Sequence, residues 1–199
     1  MACVRAEDVR RAARKFGFDL VGITPAGPVA DFARYRSWAD RGLAGEMKYL
    51  TDRRGDLRAD SRQMSGDAKS IICVGLVYNG PEPYSTEFSD PERGWIARYA
   101  WGDDYHELLR AKLEELSAKL QIKGRICVDT APLLERSLAR DAGLGWIGKN
   151  TCLINQKAGS WFFLGEILTD VEIEPDSPPP DRCGTCTRCV GQLSMQRVH

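Results

Sequence analysis

Three cysteines near the end of the sequence have the spacing of a metal-binding segment. They stand at every third position in the run Cys183-Gly184-Thr185-Cys186-Thr187-Arg188-Cys189. Two intervening residues let a tight turn direct successive thiolates at one metal cluster, and this C-x₂-C-x₂-C pattern begins the ferredoxin motif that binds iron and sulfur. That motif needs a fourth cysteine at position 193, where this chain has Leu193. A zinc site completed by His199 and a chance grouping are the alternatives.

The cysteine count and the charge exclude several classes of protein. Seven cysteines is an odd number, and the sequence of 199 residues opens without the apolar stretch of an export signal, so we expect reduced thiols and a cytoplasmic protein. Cys73 and Cys127 stand in apolar runs, which predicts that they are small core residues. With 28 basic and 28 acidic residues, the chain has no general reason to bind a membrane or nucleic acid.

A single aspartate stands where a buried strand is expected to end. Asp129 follows the apolar run 125–128 and precedes Pro132, which predicts the start of a helix. Strand ends in α/β proteins commonly line ligand sites, and a carboxyl that is partly removed from water can donate a proton. Asp129 is therefore a candidate catalytic acid. The alternative is that it only caps the following helix.

Three further segments have features of a ligand site. Gly143, Gly145 and Gly148 allow close approach of a large ligand, although they follow a helix rather than the strand that a dinucleotide fingerprint requires. Residues 101–106 place His106 beside aromatic residues and a glycine, which suits a pocket wall. Four arginines between positions 53 and 62 indicate either an anion site or a solvated loop.

Strands and helices alternate along the chain, which predicts an α/β fold that positions these residues. Apolar periodicity predicts helices over residues 6–16, 29–41, 105–122 and 132–142. A near-continuous apolar run predicts a strand over residues 70–78, and segments rich in apolar residues predict strands over 18–23, 125–129 and 161–168. Asp104 is expected to cap the third helix, and the proline-rich segment 174–181 to form a stiff linker. The predicted organisation is a core over 1–173, this linker, and a cysteine segment over 182–199.

Five segments in this order resemble the epoxyqueuosine reductase family of the queuosine tRNA-modification pathway. They are residues 98–106 (RYAWGDDYH), 129–132 (DTAP), 142–150 (AGLGWIGKN), 159–166 (GSWFFLGE) and 183–189 (CGTCTRC). The resemblance implies an α/β cobalamin-binding core similar to that of reductive dehalogenases, followed by an incomplete ferredoxin-like segment for a 4Fe-4S cluster. It also implies reduction of epoxyqueuosine to queuosine at the wobble position of tRNA.

The same resemblance implies roles for individual residues and partners. Asp129 matches the family's proton donor, and Cys183, Cys186 and Cys189 match cluster ligands. The candidates for the cobalamin pocket, by position, are Arg58, Tyr105, His106, Lys149, Asn150 and Ser160. The expected partners are a tRNA that carries epoxyqueuosine and an unidentified electron donor, with no membrane and a monomeric protein.

The chain departs from the family pattern after Cys189. Gly191-Gln192-Leu193 resembles a segment that the family reaches only further along, and Val198 stands where a cysteine is expected. An internal deletion with C-terminal truncation is the simplest explanation, and it leaves the cluster's ligand set incomplete. The alternatives to an active enzyme are a non-catalytic remnant that binds cobalamin or RNA, a zinc-stabilised binding module, and a flavin reductase on a related fold.

Overall fold

An antiparallel sheet of four strands forms the centre of the structure, a computed structural model in which residues 4–192 are described. The strands lie in the spatial order β1 (Leu20–Pro25), β2 (Ser70–Val77), β6 (Phe162–Thr169) and β3 (Gly124–Cys127). A separate short hairpin consists of β4 (Trp146–Ile147) and β5 (Leu153–Ile154). The α-helices of the described residues are α1 (Ala6–Lys15), α2 (Phe32–Asp40), α3 (Arg54–Leu57), α4 (Tyr105–Leu120), α5 (Glu135–Asp141) and α6 (Arg188–Gln192).

Helices on both faces of the sheet confirm the α/β class, but every strand pairing in the sheet is antiparallel. The rule that strand ends line ligand sites belongs to parallel sheets, so it does not account for the position of Asp129 here. The direction of a strand depends on distant pairings, which a local apolar pattern does not encode. Because β2 and β3 are both antiparallel to β6, their carboxyl ends still point to one edge of the sheet. This is the end of the sheet at which β2 and β3 finish and β6 begins, and we call it the site edge.

One face of the sheet is covered by α1 and α4. Their apolar residues recur at helical spacing, so each helix buries one side against the sheet. The buried residues are Val9, Ala12 and Ala13 of α1, Leu109, Leu113 and Leu116 of α4, and Ile72, Val74 and Ile167 of the sheet. Leu108 is exposed, since it lies about 100° around the helix from the buried Leu109. This packing fixes the first turn of α4 near the site edge.

The opposite face is covered by α5 and by loops. Leu138 and Ala139 of α5 pack in the same cluster as Cys73 and Cys127, which confirms both cysteines as core residues. Burial raises the pKa of the Cys127 thiol to about 11 and that of the Cys73 thiol well above its usual value. Both side chains are therefore neutral thiols. Glu166 of β6 pairs across the sheet with both of them.

The predicted helix boundaries agree with α1 and α4 within two residues, whereas α2 and α5 each begin three residues later than predicted. Asp104 accepts a hydrogen bond from the His106 backbone N–H at 2.9 Å, which confirms it as the cap of α4. Helix α5 begins at Glu135 rather than at Pro132, and its N-cap position is Leu134. The alternative in which Asp129 caps this helix is therefore wrong. Neither α4, with 16 residues, nor any other helix of the described chain is long and apolar enough to span a membrane.

The proline-rich segment 174–181 is docked on the core rather than held apart from it. The backbone N–H of Asp176 donates to the Ile23 carbonyl at 2.8 Å, and the Ile23 N–H donates to the Asp176 carboxylate at 3.0 Å. Arg10 of α1 forms an ion pair with the same carboxylate at 2.5 Å. These contacts cover the free edge of β1, which would otherwise expose unpaired backbone groups.

A candidate active site at one edge of the sheet

Asp129 is the centre of a hydrogen-bonded group at the site edge. The Tyr105 hydroxyl donates to Asp129 Oδ2 at 3.0 Å, and His106 Nε2 lies 3.2 Å from the same oxygen. The other ring nitrogen of His106, Nδ1, lies 2.7 Å from the Asp104 carboxylate. The structure thus brings together three residues that the sequence analysis singled out separately, one from the loop after β3 and two from the first turn of α4.

The backbone and the exposure of Asp129 both set it apart. Its φ of +52° lies in the left-handed region, which aspartate tolerates better than most residues. Its side chain is 58% exposed. The expected burial of this carboxyl is therefore not supplied by the protein, and a bound ligand would have to cover it.

The partners of Asp129 are held in place by α4 and β6. The Tyr105 ring stacks on Phe163 of β6, with ring centroids 4.1 Å apart and an interplanar angle of 3°. Burial, followed by the hydrogen bond with Asp129, raises the pKa of Tyr105, so its hydroxyl remains a donor. Burial lowers the pKa of His106, but its hydrogen bonds with Asp104 and Asp129 outweigh this effect and raise it overall. His106 therefore favours the charged form, which stabilises a carboxylate beside it.

Two glutamates lie behind Asp129, and the sequence analysis missed both. Glu135 begins α5, and burial, followed by the charge of Asp129, raises its pKa to about 7 even though the Asp129 backbone N–H donates to it. Glu166 is fully buried in β6, and burial, followed by the charges of Glu135 and Asp129, raises its pKa well above the usual value. Within the described residues, Glu135 Oε1 and both carboxyl oxygens of Glu166 have no hydrogen-bond partner.

The sequence contains a signal for one of these acids but not for the other. Glu166 is the one charged residue in the apolar run 161–168, and acids are almost never fully buried unless they are paired or functional. Glu135 gives no such signal, because a glutamate in the first turn of a helix is favoured by the helix dipole wherever it occurs.

A row of aromatic rings extends from Tyr105 along the site edge. Phe163 lies between Tyr105 and Tyr78, with ring centroids 4.1 and 4.6 Å away, and Tyr78 stacks near Trp161 at 6.3 Å. A cleft of about 280 Å³ at the far end is lined by Tyr78, Tyr84, Ser85, Trp95, Ala97, Arg98, Tyr99 and Trp161. These rings line the site edge with apolar surface.

Arg98 holds the wall of this cleft. Its guanidinium lies over the rings of Tyr84, Trp101 and Trp161 at 4.8 to 5.5 Å. It also donates, at 2.7 to 3.0 Å, to the side-chain oxygen of Asn79 and the carbonyls of Gly80, Glu82 and Pro83. Arg98 therefore organises the loop that forms the cleft.

Lys149 contacts the cysteine segment, and its predicted place in the cobalamin pocket stays a prediction. Its amino group donates to the carbonyls of Gly184 at 2.7 Å and Cys186 at 3.0 Å. In residues 4–192, no group of three or more His, Cys, Asp or Glu side chains is placed to hold a metal ion. The assignment of Cys183, Cys186 and Cys189 as cluster ligands therefore stays a prediction. The sequence positions that lie outside the described residues include Leu193, Val198 and His199.

Three other residues predicted for the cobalamin pocket make separate contacts. Arg58 is buried and donates to the Arg54 carbonyl at 2.9 Å. Asn150 accepts a hydrogen bond from a backbone N–H two residues along at 3.2 Å, and Ser160 is half-buried just before β6. None of the contacts that these three make within the described chain joins them to Asp129. Their place in a pocket stays a prediction, whereas Tyr105 and His106 lie beside the candidate acid.

The glycines of the 143–148 loop are explained by packing within the protein. Gly143 has a φ of +83° and follows the end of α5. A Cβ atom on Gly145 would lie 2.3 Å from the Ile154 carbonyl oxygen, and one on Gly148 would lie 2.6 Å from the Ile154 side chain. The close approach that these glycines permit is therefore to β5, which replaces the interpretation that they make room for a ligand.

The arginine-rich segment is paired internally. Arg54 forms an ion pair with Asp52 at 2.8 Å, and Arg62 forms one with Asp60 at 2.6 Å. The geometry favours the solvated-loop alternative over an anion site.

Comparison with known proteins finds relatives of this chain. A family model described as epoxyqueuosine reductase QueG, DUF1730, matches residues 58–130. An epoxyqueuosine reductase of Xanthomonas campestris is 43% identical over 97% of this chain and 56% of its own length. The chain is homologous to the epoxyqueuosine reductases. It spans little more than half the length of the curated relatives that it matches.

Solved structures of epoxyqueuosine reductases share the fold. One contains an epoxyqueuosine-modified tRNA-Tyr stem loop and matches with a TM-score of 0.81 and 32% identity, over 93% of this chain and 50% of that one. Another, from Bacillus subtilis, matches with a TM-score of 0.77 and 29% identity over the same shares, and its catalytic aspartate loop is swung out of the active site. A reductive dehalogenase, at a TM-score of 0.51 and 15% identity over 91% of this chain and 22% of its own, is similar in fold alone.

Proposed function

We propose that this chain is the proton-donating core of an enzyme that reduces epoxyqueuosine to queuosine in tRNA. The observation that carries the proposal is the Asp129 carboxyl, held by Tyr105 and His106 on one oxygen and open to a ligand on its exposed side. Homology with the epoxyqueuosine reductases supplies the reaction and the substrate class.

Asp129 is the acid of this reaction. Tyr105 and His106 contact only Oδ2, so Oδ1 is left for the epoxide oxygen. A ligand that covers the carboxyl excludes water and favours the form that carries a proton. After proton transfer, the Tyr105 hydroxyl and the charged ring of His106 stabilise the carboxylate. The Bacillus subtilis relative, in which the catalytic aspartate also lies on a loop, supports this assignment.

The aromatic row fits the face of a corrin ring. Tyr105, Phe163, Tyr78 and Trp161 form a continuous apolar surface beside Asp129, and these are the residues that would hold cobalamin. When bound, the cofactor supplies a strongly nucleophilic reduced cobalt for breaking carbon–oxygen bonds. The chain's own part is to bind the ring, exclude water and donate a proton from Asp129.

The proposed iron–sulfur cluster rests on donor chemistry alone. Cys183, Cys186 and Cys189 supply the thiolate sulfurs that such clusters take, on a segment that Lys149 holds against the core. These side chains do not form a set of three placed for a metal ion within residues 4–192, and proton donation by Asp129 does not require the cluster.

The proposed substrate is the wobble nucleotide of a tRNA. A related structure contains an epoxyqueuosine-modified stem loop, which supports an anticodon arm as the ligand. Exposed aromatic residues around the cleft, among them Trp95, Tyr99 and Trp161, are of the type that stacks on unpaired bases.

Loss of oxygen from a defined substrate tests this function. The 199-residue chain is incubated without air with cobalamin, a chemical reductant and an anticodon stem loop that carries epoxyqueuosine. The chemical reductant replaces the cluster, so an incomplete ligand set does not decide the outcome. We expect mass spectrometry to detect queuosine, lighter by one oxygen atom, only when chain and cobalamin are both present. Unchanged substrate with cobalamin bound would reject the enzyme and leave the non-catalytic remnant.

A further inference from the structure

The proposed reaction consumes two protons, whereas the Asp129 carboxyl, the proposed acid, carries one. The first proton converts the ring oxygen to a hydroxyl group and the second releases it as water, while the external reductant supplies two electrons. A ligand that covers Asp129 also separates it from bulk water. A source for the second proton therefore has to reach Asp129 from within the protein.

Glu135 and Glu166 lie in that position. The Asp129 backbone N–H donates to the Glu135 carboxylate at the start of α5. Glu166 pairs across the sheet with Cys127, which is two residues before Asp129 in the chain, and its side chain is completely buried. In the part of the chain that is described, Glu135 Oε1 and both Glu166 carboxyl oxygens are shielded from solvent and have no hydrogen-bond partner.

Two buried acids in this arrangement are not expected to stabilise the folded protein. A buried carboxyl without a hydrogen-bond partner is unfavourable, and an apolar residue of similar size would avoid that cost. Two neighbouring carboxylates in a dry site also resist being charged together, so the pair retains a proton. We propose that Glu135 and Glu166 form a buried proton store that reloads Asp129 during the reaction. This inference rests on the proposed function.

Each proton in the cycle has a donor and an acceptor. Asp129 gives its proton to the ring oxygen and becomes a carboxylate. Glu135 then gives its proton to Asp129, which passes it to the hydroxyl group that leaves as water. The proton of Glu166 stays within the pair, so the interior carries only one carboxylate charge. After the product leaves, solvent returns both protons through the exposed side of Asp129.

Charged and titratable groups face the store from every neighbouring element. They are Asp129 in the loop after β3, Tyr105 and His106 in α4, Arg136 in α5, Cys127 in β3, and Cys73 in β2. Burial is the largest influence on both glutamates, followed by nearby carboxylates, and it raises the pKa of Glu135 to about 7 and that of Glu166 well above the usual value. Arg136 and His106 act on Glu135 in the opposite direction.

Carbon-13 NMR of the glutamate carboxyls tests the proton store without a measurement of enzyme activity. The whole chain is titrated with pH, and Glu135→Gln and Glu166→Gln assign the two signals. We expect the Glu135 signal to titrate at about pH 7 and the Glu166 signal well above its ordinary value of 4.5. In Glu135→Gln, the Glu166 signal should titrate lower, because a neighbouring charge is gone. If both carboxyls titrate near the ordinary value of 4.5, the store is rejected whatever the outcome for the reaction.

Single-turnover reduction of the stem loop separates a proton store from a structural role. Glu135→Gln keeps the shape of the side chain but loses the proton that is transferred, and we expect the rate to fall about tenfold or more and to recover partly when formic acid is added to the buffer. Glu166→Gln keeps a neutral side chain beside Glu135 and should lower the rate less. Glu114→Gln, an exposed residue of α4, is the matched control and should keep the parent's rate.

The outcomes of that experiment are distinct. Equal rates in the parent and in Glu135→Gln would overturn the store. So would a loss of rate confined to His106→Gln, which would identify the imidazole as the proton source. An inactive parent would contradict the proposed function, while the NMR titration would still decide whether the store exists.

Discussion

The site edge and the cysteine segment are built in opposite ways. At the site edge, Asp129, Tyr105 and Glu135 come from the loop after β3, from α4 and from α5, and the sheet brings them together. The cysteine segment is held by a local backbone hydrogen bond from the Cys186 N–H to the Cys183 carbonyl and by the hydrogen bonds that Lys149 donates to it. The first region depends on the hydrophobic core and the second on a few polar contacts.

This difference decides what each region does without a ligand. The acids of the site edge are positioned before any substrate arrives, which is the condition for efficient proton transfer. Thiolate ligands commonly become ordered only when the metal binds, because the binding energy organises the segment. Loss of core stability should therefore disturb the acids, whereas loss of a local contact should disturb only the cysteines.

Removing the core support of α4 should have the largest effect. Leu113 is fully buried, and Leu113→Ala is expected to lower the free energy of unfolding by about 2–5 kcal/mol. Leu108→Ala, on the same helix but exposed, should change it by less than about 0.5 kcal/mol. Urea unfolding measures both variants. Equal losses would contradict the claim that the buried side of α4 positions Tyr105 and His106.

The buried acid of the site edge should make the protein less stable as the pH rises. Because the pKa of Glu135 is raised from 4.5 to about 7, the folded state binds this proton more tightly than the unfolded state. The resulting stability, about 3 kcal/mol, is complete below the lower value and is lost as the pH rises through the higher one. Glu135→Gln should reduce the difference in unfolding free energy between about pH 5 and about pH 8. Parallel pH curves for variant and parent would contradict the raised pKa.

Loosening the cysteine segment should have the smallest effect on the core. Lys149→Met removes the donor to Gly184 and Cys186 and should change the free energy of unfolding by about 1 kcal/mol or less. Hydrogen exchange should become faster over residues 183–189 but not in β6. Lys157→Met, an exposed residue between β5 and β6, is the control and should change neither. Faster exchange in β6 would show that the two regions are not independent.

The sequence predicts local structure better than it predicts contacts between residues that are far apart in the chain. Helix α4 and its cap at Asp104 were predictable because apolar periodicity and capping are local signals. The antiparallel sheet was not, since its pairs join residues as far apart as Cys73 and Glu166. Local signals also mislead: Gly145 approaches the protein's own backbone closely, and a glycine that made room for a ligand would look the same in the sequence.

The candidate site was predictable in its parts but not as a group. Asp129, Tyr105 and His106 were each found by residue type and position, whereas their contacts depend on how α4 packs on the sheet. Glu135 was missed because burial, and not its place in the sequence, is what makes it unusual. The charge of Glu166 in an apolar strand was the one overlooked signal.

The turnover of Asp129→Asn tests the central claim most directly. Asparagine keeps the shape of the side chain and removes the transferable proton, so the variant should bind cobalamin and the stem loop as the parent does. We predict that its turnover falls by about 10²–10⁴-fold. Asp67→Asn, an exposed aspartate before β2, is the matched control and should keep the parent's turnover. Turnover of Asp129→Asn within a few-fold of the parent, with binding intact, would contradict the assignment of Asp129 as the proton donor.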